Sequence, residues 1–212
     1  MGVKERKLRE KLDREQSILA AAKRVFLQKG LAAATIVDIV AEAELGKGTF
    51  YQHYRSKEEI MLAMSEQAFR ELHEHYVAAV AVGGTALDKI LRTTRTYYEF
   101  AMANPAYFSF IAFFESPYMS TMMPEQLVNI LTTIHGLMRG LRDEGLADGS
   151  VRQDLDADLV ANTVWGTSFG MVQFIVSKSS YMLQDQYNDT DKQFDTYLAM
   201  LESSLRAPTT GR

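Results

Sequence analysis

Residues 35–57 read TIVDIVAEAELGKGTFYQHYRSK, and this stretch decides the fold. Thr35 and Asp38 have the spacing of a capping box, which predicts that a short helix begins here and ends near Ala43. After the turn Glu44-Leu45, a second short helix is predicted from Gly46 to Tyr54. Two short helices joined by a turn of about three or four residues have the size of a helix-turn-helix, the motif that presents its second helix to the major groove of DNA.

The pattern around this unit predicts helices almost everywhere. Apolar residues recur three and four positions apart and no sustained two-residue alternation appears, which favours an all-α fold of about nine helices. The first helix is predicted from Leu8 to Lys29 with Gly30 as its C-terminal cap, and the helix after the unit from Glu58 to Val82. Later helices are predicted to begin at Thr85, Pro105, Pro124, Asp156 and Thr190. We therefore expect a three-helix head at 1–57, a larger helical domain at 58–206 and a disordered tail at 207–212.

The charge of the chain is divided unevenly between its two ends. Residues 1–57 hold 12 Lys/Arg against 7 Asp/Glu, a net of +5, whereas the remainder holds 11 against 20, a net of −9. Because phosphate neutralisation supplies most non-specific affinity for nucleic acids, this division suggests that only the head meets a polyanion. A solvated basic helix would produce the same asymmetry, so the motifs must decide.

Several classes of protein are disfavoured by composition. The chain has no cysteine and four histidines, and His73 and His75 lie two positions apart on a helix, where they face different directions. We therefore expect no metal, no cofactor and no enzymatic activity. The charged N-terminus is not a signal peptide, and the apolar run Val164 to Val176 is broken by Gly, Ser and Gln and is expected to be too short to span a bilayer. A cytoplasmic protein without a membrane partner is predicted.

The second short helix suits DNA by its chemistry. Its polar residues offer hydrogen-bond donors and acceptors and one positive charge, while Phe50 and Tyr54 are expected to anchor it inside. The polar set is Lys47, Thr49, Tyr51, Gln52 and His53.

A wider set of residues identifies the unit more specifically. This set is Arg14, Ile18-Leu19, Ala21-Ala22, Phe26, Gly30, Thr35, Asp38-Ile39, Ala43, Gly48-Thr49-Phe50-Tyr51, Tyr54 and Ser56-Lys57-Glu58. Over residues 14–62 it resembles the N-terminal signature of the TetR family of transcriptional regulators. The resemblance implies that base edges are approached by Lys47, Thr49 and Gln52. It implies that phosphates are held by Tyr51, His53 and Lys57. It implies that Gly48 allows close approach of the backbone, and that Thr35 brings the N-terminus of its helix to a phosphate.

The sequence departs from the family pattern at three places. Ala34-Thr35 stands where paired hydroxyls are frequent and Val37 where a basic residue is frequent, so DNA contacts from the first short helix are in doubt. Glu44 replaces the usual turn glycine. A non-glycine residue in a left-handed conformation costs about 1 kcal/mol, so either the turn is shaped differently or local stability is lost.

The family resemblance also implies two functions for the larger domain. One is a cavity for an apolar or aromatic effector among the middle helices, and ten of the eleven methionines follow residue 57. The candidate cavity residues are Met64, Tyr98, Phe108, Phe114, His135, Met138, Asn162 and Trp165. The other is a homodimeric four-helix bundle formed by the last two helices. The candidate interface residues are Gly166, Phe169, Gly170, Tyr197 and Leu201.

The predicted function is a ligand-responsive transcriptional regulator, a homodimer that a small effector releases from a near-palindromic double-stranded operator. In the hypothesised mechanism the effector shifts the middle helices, tilts the helix that begins at Ser56 and separates the two heads. A second hypothesis is a helical small-molecule carrier or enzyme with a vestigial DNA-binding head. A third keeps DNA binding but makes the protein an activator or a ligand-independent architectural factor.

Overall fold

A computed structural model describes residues 2–115, 123–154, 156–178 and 189–208. Within these ranges the chain forms nine helices and no β-strand, which confirms the all-α prediction. The helices are α1 (Val3–Ala33), α2 (Ile36–Glu42), α3 (Lys47–Tyr51), α4 (Lys57–Ala81), α5 (Ala86–Ala103), α6 (Pro105–Phe114), α7 (Glu125–Asp148), α8 (Ala157–Lys178) and α9 (Thr190–Leu205).

Helix α1 is longer at its start than predicted. It begins at Val3 rather than at Leu8, because the charged residues before Leu8 are good helix formers and the Glu5 carboxylate accepts a hydrogen bond of 2.8 Å from the Gly2 backbone N–H. The predicted break at Gly30 is confirmed. This glycine has a φ of 77° and interrupts the helical backbone, and one further turn follows before α1 ends at Ala33.

Hydroxyl side chains begin three of the helices, at Thr35, Thr85 and Ser56, where helices were predicted to start. Thr35 and Thr85 each accept a hydrogen bond from the backbone N–H three residues later and form complete capping boxes with Asp38 and Asp88. The Ser56 hydroxyl likewise accepts from the Glu59 N–H at 3.2 Å. These contacts satisfy N–H groups that the first turn of a helix leaves without a partner.

Backbone contacts divide the chain into two units, which differ from the predicted domains. The head unit comprises Met1–Phe69 and Pro105–Leu127, and the body unit comprises Arg70–Asn104 and Val128–Arg212. In the head unit, α6 packs against α1, since the rings of Phe26 and Phe110 meet edge to face at 5.6 Å. The Ser65 hydroxyl of α4 donates to the Phe110 carbonyl at 2.9 Å. The boundary at residues 57 and 58 stays a prediction.

The body unit has its own apolar core around the end of α9. Leu87, Val151, Leu201 and Leu205 form a buried cluster. The loop after α7 pairs with the end of α9 through an antiparallel bridge between Val151 and Arg206. The same pairing continues into the predicted tail, because the Ala207 N–H donates to the Ser150 carbonyl at 3.2 Å. Residues 209–212 of that tail lie outside the described residues.

Helix α8 is apolar but mostly uncovered. By length and composition alone its segment Asp158–Val176, which begins before the predicted run Val164 to Val176, is long enough to cross a membrane, a test that the core helix of a soluble protein also passes. The buried side chains Ser168, Val172 and Ile175 lie on one face of the helix. Its opposite face is exposed in the single chain and includes Leu159.

Candidate nucleic-acid interface

Helix α3 is a short element held by one buried aromatic ring. It spans Lys47–Tyr51, and Phe50 near its end is fully buried. The prediction extended this helix to Tyr54, but the chain tightens after Tyr51. The Gln52 and His53 N–H groups donate to carbonyls three residues back, at 3.3 and 2.9 Å, as in a 3₁₀ turn. Because Phe50 points into the head, the other sides of the helix lie on the surface.

The exposed side of α3 carries most of the residues predicted to read DNA. Lys47, Gly48, Tyr51 and Gln52 are exposed, and Thr49 is half-buried. An ammonium, a phenol and an amide thus lie on one small surface, together with a glycine that would let the protein backbone come close to DNA. This set has the donors and acceptors that base edges and phosphates require.

His53 faces the interior of the head rather than this surface. Its side chain is only 10% exposed, and its Nδ1 lies 3.4 Å from the Glu15 Oε1 of α1. The predicted phosphate contact would require the ring to leave this position. The contact instead ties the end of α3 to α1.

Lys57 is also engaged within the head unit. Its ammonium donates to three backbone carbonyls, those of Leu31 at 2.9 Å, Ala34 at 3.1 Å and Ala32 at 3.4 Å. These carbonyls belong to the last turn of α1 and to its C-cap Ala34, where no intrahelical N–H is available to them. The predicted phosphate ligand therefore serves as a C-terminal cap of α1, and it joins the start of α4 to the segment that precedes α2.

Thr35 is placed as predicted, at the N-cap of α2, but its hydroxyl is not free for DNA. The Oγ1 accepts from the Asp38 N–H at 3.3 Å and donates to the Asp38 carboxylate at 2.8 Å. That carboxylate also accepts from the Lys29 ammonium at 2.7 Å. These contacts, first with Lys29 and then with Thr35, lower the pKa of Asp38 to about 2. The carboxylate fixes α2 to α1 in its ionised form.

Acid is expected to loosen this attachment. Because the pKa of Asp38 is lowered in the folded state, its carboxylate adds to the free energy of unfolding at pH values above its ordinary pKa of 3.8. This contribution is lost as pH falls towards about 2. The urea midpoint of Asp38→Asn should therefore lie below that of the unchanged chain at pH 6, and the difference should shrink between pH 4 and about 2. A difference that stays constant with pH would contradict this assignment.

The turn between α2 and α3 keeps the left-handed geometry that usually requires glycine. Glu44 has a φ of 53°, and among the described residues it is the one non-glycine with a positive φ. Of the two alternatives for this turn, the structure shows the strained conformation rather than a different shape.

Glu44→Gly is expected to stabilise the head by about 0.5–1 kcal/mol, because relief of the left-handed strain exceeds the added entropy of the unfolded chain. Glu44→Ala is the matched control, since it removes the same side chain and keeps a Cβ in the strained conformation. Chemical denaturation of the three proteins measures the difference. Equal gains in both variants would assign the effect to the carboxylate rather than to the backbone.

The predicted cavity residues do not share one environment. Met64, Tyr98 and Phe108 are buried, and Phe114, Met138 and Trp165 are half-buried. His135 and Asn162 are exposed, so in this conformation they cannot be the polar groups of an enclosed cavity. Both lie on exposed sides of their helices, α7 and α8, which the sequence pattern did not resolve.

The predicted interface residues also differ in their environments. Gly166 and Gly170 are exposed on the uncovered face of α8, and Phe169 is half-buried. Tyr197 binds within its own chain, since its hydroxyl lies 2.9 Å from Thr167 Oγ1 and 2.8 Å from Ser168 Oγ. Leu201 is buried in the body core and is not available to a second chain. The sequence shows an apolar position at 201 but not which neighbour covers it.

Comparison with known proteins gives a consistent result. A family model for bacterial regulatory proteins of the tetR family matches residues 18–64. The Fatty acid metabolism regulator protein of Bacillus subtilis is 19% identical over 198 residues, which cover 93% of this chain and 98% of that protein. The HTH-type transcriptional repressor KstR2 of Rhodococcus jostii is 28% identical over 162 residues, which cover 73% of this chain and 78% of the repressor.

A solved structure shares the fold over most of the chain. The transcriptional regulator FadR from Bacillus subtilis, in complex with stearoyl-CoA, superposes with a TM-score of 0.71 at 19% sequence identity. The match covers 89% of this chain and 98% of that one. At this level of identity the likeness shows a common fold.

Proposed function

The chain belongs to the tetR family of bacterial regulatory proteins and is a DNA-binding transcriptional regulator, and from this premise we propose that it is a cytoplasmic repressor that reads a near-palindromic operator through α3. The observation that carries the proposal is the exposed face of Lys47, Tyr51 and Gln52 above the buried Phe50. A buried anchor holds the helix in one orientation, so the polar side chains can meet base edges without first being ordered.

Two side chains on this face are suited to base recognition. A glutamine amide can donate to and accept from adenine N7 and N6, and a lysine ammonium can donate to guanine O6 and N7. We assign these roles to Gln52 and Lys47, with the Tyr51 hydroxyl donating to a phosphate. Lys57 and His53 are assigned to holding the head together rather than to DNA.

A homodimer is proposed because a single five-residue helix offers too little contact and because α8 leaves an apolar face uncovered. Leu159, Gly166 and Gly170 line this face, and Met200 is exposed on α9. Glycines four residues apart allow two helices to approach closely. Two chains related by a two-fold axis would present two copies of α3 about 34–36 Å apart, one turn of duplex DNA.

The dimer is tested by charging its proposed interface. Leu159→Asp combined with Met200→Asp should shift the mass measured by light scattering from two chains to one. Val82→Asp is the control, since Val82 is 71% exposed at the end of α4 and lies outside the proposed interface. A double variant that stays dimeric would place the interface elsewhere.

We propose that the effector is a large apolar molecule of the long-chain acyl thioester class. Two observations support this class: a relative that matches nearly the whole chain is a fatty acid metabolism regulator, and a protein of the same fold was solved in complex with stearoyl-CoA. Within the body unit, the rings of Tyr97 and Trp165 lie 5.2 Å apart and provide an apolar wall. The effector would bind the DNA-free conformation of the protein more tightly than the DNA-bound one, and this difference in affinity would release the DNA. Helix α4 would carry the conformational change to the head.

Three experiments test this function. Selection from a randomised duplex pool, followed by sequencing, should enrich a near-palindrome; no enrichment would favour the carrier or enzyme with a vestigial head. Stearoyl-CoA titrated against the labelled enriched duplex should then release the protein, while CoA alone and free stearate serve as controls. If saturating stearoyl-CoA leaves the affinity unchanged, the effector class is wrong. A reporter assay with and without effector separates a repressor from an activator.

A further inference from the structure

The first half of α1 extends beyond the core of the head unit. The first buried residue of this helix is Ile18, and residues 3–17 are exposed except for the half-buried Glu15. At 1.5 Å per residue this extension is about 20 Å long. A helix that buries no apolar surface gains little from tertiary packing, so its composition has to be explained by something other than the fold.

The charges on this extension are ordered into a stripe. Lys4, Lys7, Lys11 and Arg14 follow one another at intervals of three, four and three residues, which places them on one face of the helix. Arg6 and Arg9 lie on other sides of it, and Arg6 is paired with Glu10 at 3.6 Å. Within the stripe, Lys11 approaches Glu15 at 3.6 Å, an exposed pair that solvent screens.

This stripe continues the face of α1 that is buried farther along the helix. Ile18 and Val25, which α1 buries in the head, follow Lys4, Lys7, Lys11 and Arg14 in the same helical register. At the boundary between the two segments, Glu15 meets His53, two residues after the end of α3. The base of the extension is therefore joined to the segment that follows α3.

We infer that residues 3–17 form a second DNA contact, in which the Lys4, Lys7, Lys11 and Arg14 stripe follows the phosphates that flank the operator bases read by α3. The inference rests on the proposed function and extends it. Its physical basis is charge complementarity with a duplex that carries one phosphate per 3.4 Å of each strand, over a helix about 20 Å long. The contact is sequence-independent and adds affinity and salt dependence rather than base selectivity.

The test compares two variants that remove equal charge from different sides of the helix. The double variant Lys4→Gln with Lys7→Gln removes two of the four positive charges of the stripe. The matched control is Arg6→Gln with Arg9→Gln. Binding is measured by fluorescence anisotropy at several salt concentrations, with the starting random pool and the enriched pool as labelled duplexes. Circular dichroism checks that both variants keep the helix, which glutamine supports nearly as well as lysine and arginine.

The stripe variant should lose about 0.9 from the log–log salt slope for each phosphate contact removed, and about 10- to 100-fold in affinity near 0.1 M salt, on both pools. The control should change little. Equal losses in both variants would show that affinity follows the total charge of the helix and not the position of the stripe. No loss in the stripe variant would overturn the inference while leaving the proposed function intact. Failure of the pool to enrich at all would reject the proposed function instead, and the random pool would still report on the stripe.

Discussion

Gln52→Ala is expected to weaken binding to the selected operator by about 5- to 150-fold, because a bidentate contact with one base contributes about 1–3 kcal/mol of discrimination. The side chain is exposed just beyond α3 and makes no contact that the fold requires. The loss should therefore appear in the affinity for the enriched duplex and not in the stability of the protein. Fluorescence anisotropy with the enriched and random pools measures both the loss and its sequence dependence.

The matched control is Gln28→Ala, which makes the same chemical change at an exposed position of α1. It should leave operator affinity within about twofold, since surface substitutions away from an interface have small effects. Lys47→Ala should resemble Gln52→Ala in direction. If Gln52→Ala binds the enriched pool as tightly as the unchanged chain does, then α3 does not read bases through this side chain.

Lys57→Met is expected to destabilise the head by about 1.5–3 kcal/mol, because it leaves the carbonyls at the end of α1 without their charged donor. Methionine keeps the length and apolar stem of the side chain, so the lost group is the ammonium that now donates to the Leu31, Ala32 and Ala34 carbonyls. The change should appear as a lower denaturant midpoint, followed by weaker DNA binding as the start of α4 loosens. Denaturation monitored by circular dichroism measures it.

Lys47→Met makes the same substitution on the exposed side of α3, and it separates a role in DNA binding from a role in the stability of the head. Since Lys47 is exposed and Lys57 is a cap, Lys47→Met should lower operator affinity with stability unchanged within about 0.5 kcal/mol. Unchanged stability in Lys57→Met, together with weaker DNA binding, would instead support the phosphate contact that the sequence predicted.

The sequence by itself determined the helical elements and the polar face of α3. The capping box at Thr35, the helix starts at Thr85 and Thr190 and the break at Gly30 were all predicted, because each depends on residues within a few positions of one another. The polar face of α3 was predicted for the same reason. A buried aromatic residue with polar neighbours at helical spacing leaves little choice about which side faces outward.

Only the tertiary structure decided which of these polar and apolar groups is free. Lys57 finds its carbonyls 23 to 26 residues earlier in the chain, and His53 meets Glu15 across 38 residues. Leu201 enters a core shared with Leu87, whereas the first half of α1 leaves the core altogether. A side chain's type sets what it can bind, but the partner that satisfies it is placed by packing between distant segments, and no local pattern contains that information.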